Sequence, residues 1–347
     1  MSTTNFWSFT VVFFALTGSA LAQSGIQNLG YHKSSGDSLS WGILIPGSAG
    51  IGRTWEVPRH PMLEHPEDTS QAMKSVRRGF ALFMNTSKLA PSLTGGTMSC
   101  NNCHPNGGQR EKAMPLVGVA SIFPEFNKRS GRVFTLEERI VGCLLRSINA
   151  TGRRNPSIVT RHENELKGSS VNADTREVRD LAAYIRWLSS GLTIGNEIPW
   201  RGRNSLPASS LLPIEKLDPK LGKRYFTEWC AYCHGNDGQG LDSAKDLLAG
   251  YLHIAHKSPG PLWGPNSWND GAGAARTYTL AGMIRNWMPY LNPGFLSDEQ
   301  AQHIAAFITS QSRPGFPYKV KDYLKTRIPI DAVYYKQLYR KNPLTDK

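Results

Sequence analysis

Two pentapeptides, Cys100-Asn101-Asn102-Cys103-His104 and Cys230-Ala231-Tyr232-Cys233-His234, constrain this chain more than any other feature. Each offers two thiols a short turn apart, with an imidazole directly after them. That spacing lets both thiols reach the vinyl groups of a porphyrin while the imidazole ligates its iron. One such motif alone could be a redox dithiol or half of a zinc site. A second of the same form, in a chain with an export-type leader, points to two covalently bound haem c groups. Cys100, Cys103, Cys230 and Cys233 are then the anchors, and His104 and His234 the proximal ligands. The carbonyls of Pro115 and Pro261 are candidate acceptors for the other ring N–H of each imidazole, the contact that orients a ligating histidine.

The leader is the stretch Met1 to Ala22, with an apolar centre around Phe9 to Leu16 and an Ala20-Leu21-Ala22 ending. This is the pattern of a signal peptide cleaved before Gln23, and it predicts a periplasmic protein. The leader lacks Lys and Arg, so an uncleaved anchor is the alternative. No other segment approaches the length needed to span a bilayer, so no integral membrane segment is expected in the mature chain. The balance of 40 basic against 27 acidic residues gives a formal charge of +13. Four haem propionates lower this to roughly +9, a field that favours anionic partners. Nucleic acid is disfavoured by export and by the absence of any Lys/Arg run longer than two. Anionic small molecules and acidic redox proteins remain.

The 347 residues predict about two domains, and they read as one unit written twice. Each copy begins with a Gly-x-x-x-Phe helix (Gly79 to Phe83, Gly222 to Phe226) and then reaches its haem motif. A Pro-Leu-x-Gly segment follows, at Pro115 and at Pro261, and an amphipathic helix closes each copy. The first closing helix is Glu177 to Leu188; the second starts at an N-cap Ser297 with Gln300 completing a capping box. This succession resembles a class I cytochrome c domain in both halves. The expected fold is therefore mostly α, two class I cytochrome c-like haem domains in tandem with long loops. The expected divisions are a leader at 1–22, an irregular extension at 23–72, a first haem domain at 73–194, a linker at 195–213, a second haem domain at 214–313 and a C-terminal extension at 314–347. That extension is expected to wrap over a domain surface, with a disordered tail as the alternative.

Counting from the proline loops locates the sixth ligands. In the second copy the position is Met288, followed by Pro289; Met283 is a rival, but it falls within a predicted helix where packing accounts for it. His/Met ligation raises the reduction potential and suits an electron exit. In the first copy the same count reaches Cys143, the one cysteine that no haem motif uses. It falls on a helix opened by a capping box of Thr135 and Glu138, on an apolar stripe with Leu136, Ile140 and Leu144. A buried core thiol is the bland alternative, and Met114 is another candidate ligand. Arg139, Arg146 and Ser147 share or border the face of Cys143. Guanidinium groups favour thiolate over thiol, and thiolate is the form that binds iron.

Phe123-Pro124-Glu125-Phe126, Arg129, Gly131, Leu136 to Ile140, Cys143 and Arg146-Ser147-Ile148-Asn149 resemble the active-site segment of the thiosulfate dehydrogenase family of dihaem cytochromes. Leu262 to Gly273 and Met288-Pro289 are similar to that family's second haem domain. The family usually has Gly where this chain has Ala150. The resemblance implies His/Cys ligation at the first haem (His104, Cys143), His/Met at the second (His234, Met288), and a periplasmic sulfur substrate. Thiosulfate or tetrathionate and a cytochrome c-type electron acceptor are the expected partners.

Electrostatics favours a covalent route for such chemistry. Holding two dianions about 5 Å apart at an effective dielectric of about 20 costs roughly 13 kcal/mol. Attaching one thiosulfate to Cys143 makes the encounter dianion with monoanion, and the cost falls to roughly 7 kcal/mol. Arg129, Arg139 and Arg146, with Arg132 close behind, are the candidates to offset the remainder. Competing functions are a dihaem electron shuttle, which leaves Cys143 unexplained, a dihaem peroxidase, which needs an iron open to peroxide, and a haem–cysteine sulfur-oxidising subunit. In the last, the reactive cysteine follows the second haem domain rather than lying between the motifs.

Overall fold

A computed structural model describes residues 60–110, 112–150, 172–240, 259–323 and 328–335. The leader and most of the irregular extension lie outside the described residues.

In the first unit, helix α1 (Gln71–Leu89) starts at Ser70, whose side chain accepts from the Met73 backbone N–H. Met73, Val76, Phe80 and Phe83 form its buried stripe, the spacing of a helix with one apolar face. The stripe packs on the closing helix, α4 (Arg176–Trp187). Between them come α2 (Cys100–Cys103), which carries the haem motif, and α3 (Leu136–Arg146). The second unit repeats the plan with α5 (Pro219–Trp229), α6 (Ala231–His234), α7 (Thr277–Trp287) and α8 (Asp298–Ser310). Both predicted capping boxes form, at Thr135/Glu138 and at Ser297/Gln300.

The repeat is physical, not only textual. A Cβ placed on Gly79 would stand 1.9 Å from the Asp180 carbonyl oxygen, and one on Gly222 would stand 1.9 Å from that of His303. In both units the first and last helices thus cross at backbone contact, which only glycine permits. Four residues on, Phe83 meets the Tyr184 ring edge-on at 5.6 Å, and Phe226 meets Phe307 at 5.4 Å.

Little sheet forms. A two-stranded antiparallel hairpin, β1 (Glu125–Asn127) and β2 (Arg132–Phe134), pairs Glu125 with Phe134. The sequence predicts loop here, and the turn explains the difference. The Asn127 side chain accepts from the backbone N–H of Arg129 and of Ser130, each at 3.1 Å. Gly131, at φ 68°, donates its N–H to the Asn127 carbonyl at 2.8 Å. Asparagine and glycine supply what the turn needs, so three-residue strands suffice.

Residues 195–213 pack against both units. The Trp200 indole donates to the Val117 carbonyl at 3.0 Å, and the Trp287 indole donates to Asn204 at 2.7 Å. The C-terminal segment crosses from the second unit to the first: the Tyr323 N–H donates to the Arg129 carbonyl at 2.8 Å. Among the described residues no helix is long and apolar enough to cross a membrane.

Candidate active site

The first haem motif is rigidly presented. Ser99 is fully buried and forms a capping box with Asn102, closing the turn that carries Cys100 and Cys103. The next residue, His104, directs Nδ1 to the Met114 carbonyl oxygen at 2.7 Å. The acceptor is thus one residue earlier than the expected Pro115, and it places Met114 on the proximal side rather than at the sixth position. Burial lowers the His104 pKa, the hydrogen bond to Met114 opposes this, and the charge of Arg139 lowers it further. Burial pushes the Cys103 thiol up to about 12, and the neighbouring sulfurs of Cys143 and Cys100 add to the rise. Cys143 on α3 and Arg139 one turn before it therefore stand within electrostatic reach of the haem motif.

Beside Cys143 opens a cavity of about 630 Å³, lined by the hairpin, α3, the start of α7 and the C-terminal segment. Gly142 and Ser147, on either side of Cys143 in sequence, both line it. So do Lys128, Arg129, Arg132, Arg139, Arg146 and Arg276. Their charges are not equally available. Arg132 pairs with Glu138 at 2.6 Å. Arg146 is 7% exposed and grips Asp322 through two bonds of 2.7 and 2.8 Å, while also donating to the Gly271 carbonyl at 3.0 Å. Its guanidinium stacks on Phe316, 3.9 Å from the ring centre. Arg129 donates to the same Gly271 carbonyl at 2.5 Å and has no carboxylate hydrogen-bonded to it among the described residues. Burial works against its charge, but Tyr323, Asp322 and Tyr335 outweigh this and hold its pKa up. The side chain of Arg139 has no hydrogen-bond or ion-pair partner among the described residues. The result is a cationic chamber, with Arg129 and Arg139 the least compensated.

Sequence reasoning put Arg146 with the other two as a substrate-facing cation. The structure keeps it in the chamber lining and also ties it to Asp322 and to the Gly271 carbonyl of the second unit. Conversely, Arg276 and Tyr323 line the cavity without having been foreseen, because neither lies near Cys143 in sequence and no local spacing marks them.

The second motif is half-buried, with Tyr232 exposed. Burial pushes Cys230 up to about 12 and also raises Cys233. Burial brings His234 down to about 4, and its Nδ1 has no hydrogen-bond partner among the described residues, Pro261 included. Met288 follows α7 directly and packs, partly buried, against the core; Met283 also packs against the cluster of Val117, Ile198, Trp200 and Trp287. Paired thiols on one turn with an adjoining imidazole fit covalent haem at both sites, and at the second the His234 Nδ1 is left without a partner among the described residues. Among the described residues no cluster of three or more His, Cys, Asp or Glu is placed to hold a bare metal ion. Between the motifs, the Arg110 guanidinium lies 4.3 Å over the Tyr290 ring, which ties the first proximal loop to the loop after Met288.

Residues 93–194 match the family described as SoxA/TsdA, cytochrome c domain, and residues 218–308 match that described as cytochrome C oxidase, cbb3-type, subunit III. The thiosulfate dehydrogenase of Stutzerimonas stutzeri is 34% identical over 258 residues, 74% of either chain. The chain belongs to the thiosulfate dehydrogenase family. The thiosulfate dehydrogenase of Psychrobacter arcticus is 31% identical over 292 residues, covering 82% of this chain and 79% of the relative. That of Allochromatium vinosum is 33% identical over 247 residues, 70% and 80% of the two. Among solved structures, thiosulfate dehydrogenase (TsdBA) from Marichromatium purpuratum, in its as-isolated form, aligns with a TM-score of 0.59 at 28% identity. It covers 79% of this chain, which in turn spans about half (51%) of that longer one. Membership of the thiosulfate dehydrogenase family agrees with two cytochrome c domains in tandem, the arrangement the fold displays.

Proposed function

We propose that this chain is a periplasmic thiosulfate dehydrogenase that couples two thiosulfates into tetrathionate, or runs the reverse reaction. His104 and Cys143 would hold the iron of the first haem c, and His234 and Met288 that of the second. The observation that carries the reading is Cys143, the one cysteine outside the haem motifs, on a helix whose Gly142 and Ser147 line an arginine-rich chamber and within electrostatic reach of Cys103 in the first motif.

The chain's own residues suit each step. Arg129 and Arg139 draw a thiosulfate dianion into the chamber and hold its sulfonate oxygens by charge-assisted hydrogen bonds. The Cys143 sulfur and the outer sulfur of thiosulfate form a bond, and two electrons leave the pair. The two haems, when attached, supply the one-electron acceptors for those electrons. A second thiosulfate then attacks the outer sulfur, as in thiol–disulfide exchange. That breaks the bond to Cys143, releases tetrathionate and returns the thiolate. Ser147, whose N–H caps the Cys143 carbonyl at 2.8 Å, orients this turn at the chamber wall. The electrons pass onward to a cytochrome c-type acceptor.

The test is purified holoprotein assayed for thiosulfate-dependent dye reduction and tetrathionate-dependent dye oxidation. Cys143→Ala with both haems in place is expected to lose both activities, and electron paramagnetic resonance to lose a thiolate-bound ferric signal. Retained turnover in that variant would end the proposal.

A further inference from the structure

We propose that Arg276, carried by the second unit, is a substrate-binding residue of the chamber beside the first, and that Asp331 of the C-terminal segment holds it there. This rests on the thiosulfate reading above and names a further contact for the same site.

The argument lies in what each paired arginine leaves free. Arg146 spends both terminal nitrogens on Asp322 and Gly271 and is closed to solvent. Arg276 is held along one edge only: Nε at 3.1 Å and Nη2 at 2.8 Å both donate to the same oxygen, Oδ1 of Asp331. Nη1 makes no hydrogen bond among the described residues, and the side chain keeps 31% of its surface. A guanidinium has five N–H donors in a planar fork. Fixing one edge on a carboxylate leaves the other edge pre-organised for an oxyanion, with little entropy left to lose.

The holder is itself fixed. Asp331 is 1% exposed; its other oxygen accepts the Tyr278 N–H at 3.1 Å, and its backbone carbonyl accepts the Thr277 N–H at 3.1 Å. Arg276 therefore stands at the start of α7 and lines the chamber with Gly273. A Cβ on Gly273 would meet nothing within 4 Å, so the wall leaves room at that position. The reaction brings two anions into one chamber, and Arg129 and Arg139 both come from the first unit. Arg276 adds a cation from a separate element, suited to a sulfonate group.

The decisive pair of variants is Arg276→Gln with Asp331→Asn, and Asp331→Asn alone, each as holoprotein with its visible haem spectrum recorded. Sulfate, an inert divalent oxyanion, is titrated by calorimetry and used as a competitor of thiosulfate. The neutral double variant is expected to raise the thiosulfate KM and the sulfate dissociation constant by roughly tenfold or more, the worth of one charged hydrogen bond. Its kcat should move less. Asp331→Asn alone keeps the guanidinium and leaves it an amide oxygen as acceptor, and is expected to weaken sulfate binding far less than the double variant does. If Asp331→Asn weakens binding as much as the double variant, the pair only secures the C-terminal segment and the proposal fails. It fails equally if the double variant leaves both constants unchanged. Should the double variant not accumulate with its haems, Arg276→Lys takes its place: it keeps the charge, loses the fork, and is expected to bind sulfate several-fold more weakly, unchanged binding being the refutation. Absence of thiosulfate turnover in the unaltered protein would remove the substrate reading, while the sulfate titration would still decide the anion site.

Discussion

The Arg146–Asp322 pair offers the sharpest separation between holding the protein together and handling substrate. Both side chains are buried, at 8% and 0% exposure, and two bonds of 2.7 and 2.8 Å join them. Tyr335 also donates its hydroxyl to Asp322 at 2.5 Å. Replacing one partner leaves the other charge in a low-dielectric site, a loss of roughly 3–5 kcal/mol. At about 2 °C per kcal/mol for a chain of this size, Arg146→Met and Asp322→Asn should each lower Tm by roughly 6–10 °C. The double variant removes both charges and should be no worse than the poorer single one, a coupling of about 2 kcal/mol or more. Melting followed by circular dichroism and by tryptophan fluorescence reads these shifts, and thiosulfate KM is measured on the same samples at a temperature where all are folded. The buried pair predicts large, non-additive losses in Tm. If Arg146→Met raises KM while Tm stays within about 2 °C, and Asp322→Asn is silent, Arg146 is a substrate arginine and the reasoning is refuted.

The helix crossings make a second test. Gly79→Ala and Gly222→Ala each drive a methyl group against a carbonyl oxygen 1.9 Å away, and each should cost at least about 2–3 kcal/mol and reduce the yield of haem-loaded protein; wild-type melting in both would show that the crossings are looser. His60 gives a pH test: burial brings it down to about 4 from 6.5, opposed by its backbone hydrogen bond. The native state favours the neutral ring, so this stability is complete above pH 6.5 and is lost as pH falls toward 4, by about 1 kcal/mol once solvent screening of the partly exposed ring is counted. Denaturant midpoints between pH 7 and 4 should fall more steeply for the wild type than for His60→Phe, and parallel curves would contradict the burial effect.

How much was legible in the sequence depended on range. Features set within a few residues could be read: the capping box that starts α3, the glycine–phenylalanine spacing of the first helix in each unit, and the haem motifs themselves. Cys143 could be singled out only because the repeat supplies a ruler, the interval counted on from the proline loop. The hairpin went unread because its strands are three residues long and its stability comes from the Asn127 turn rather than from alternation. The buried pairing of Arg146 could not be read because its partner, Asp322, lies 176 residues away. A charge beside a cysteine on a helix looks the same on paper whether it faces substrate or a buried carboxylate. Arg276 had no local signal at all.

The crossing of the C-terminal segment has a consequence for the life of the molecule. Every residue that anchors a porphyrin is already present in a chain cut at Pro314, yet such a chain lacks Asp322, Tyr323 and Asp331. It would keep both haem motifs and leave the arginine-lined chamber without one wall. Motifs and chamber are thus completed at different points along the polypeptide, and the second waits for the last part to be laid down.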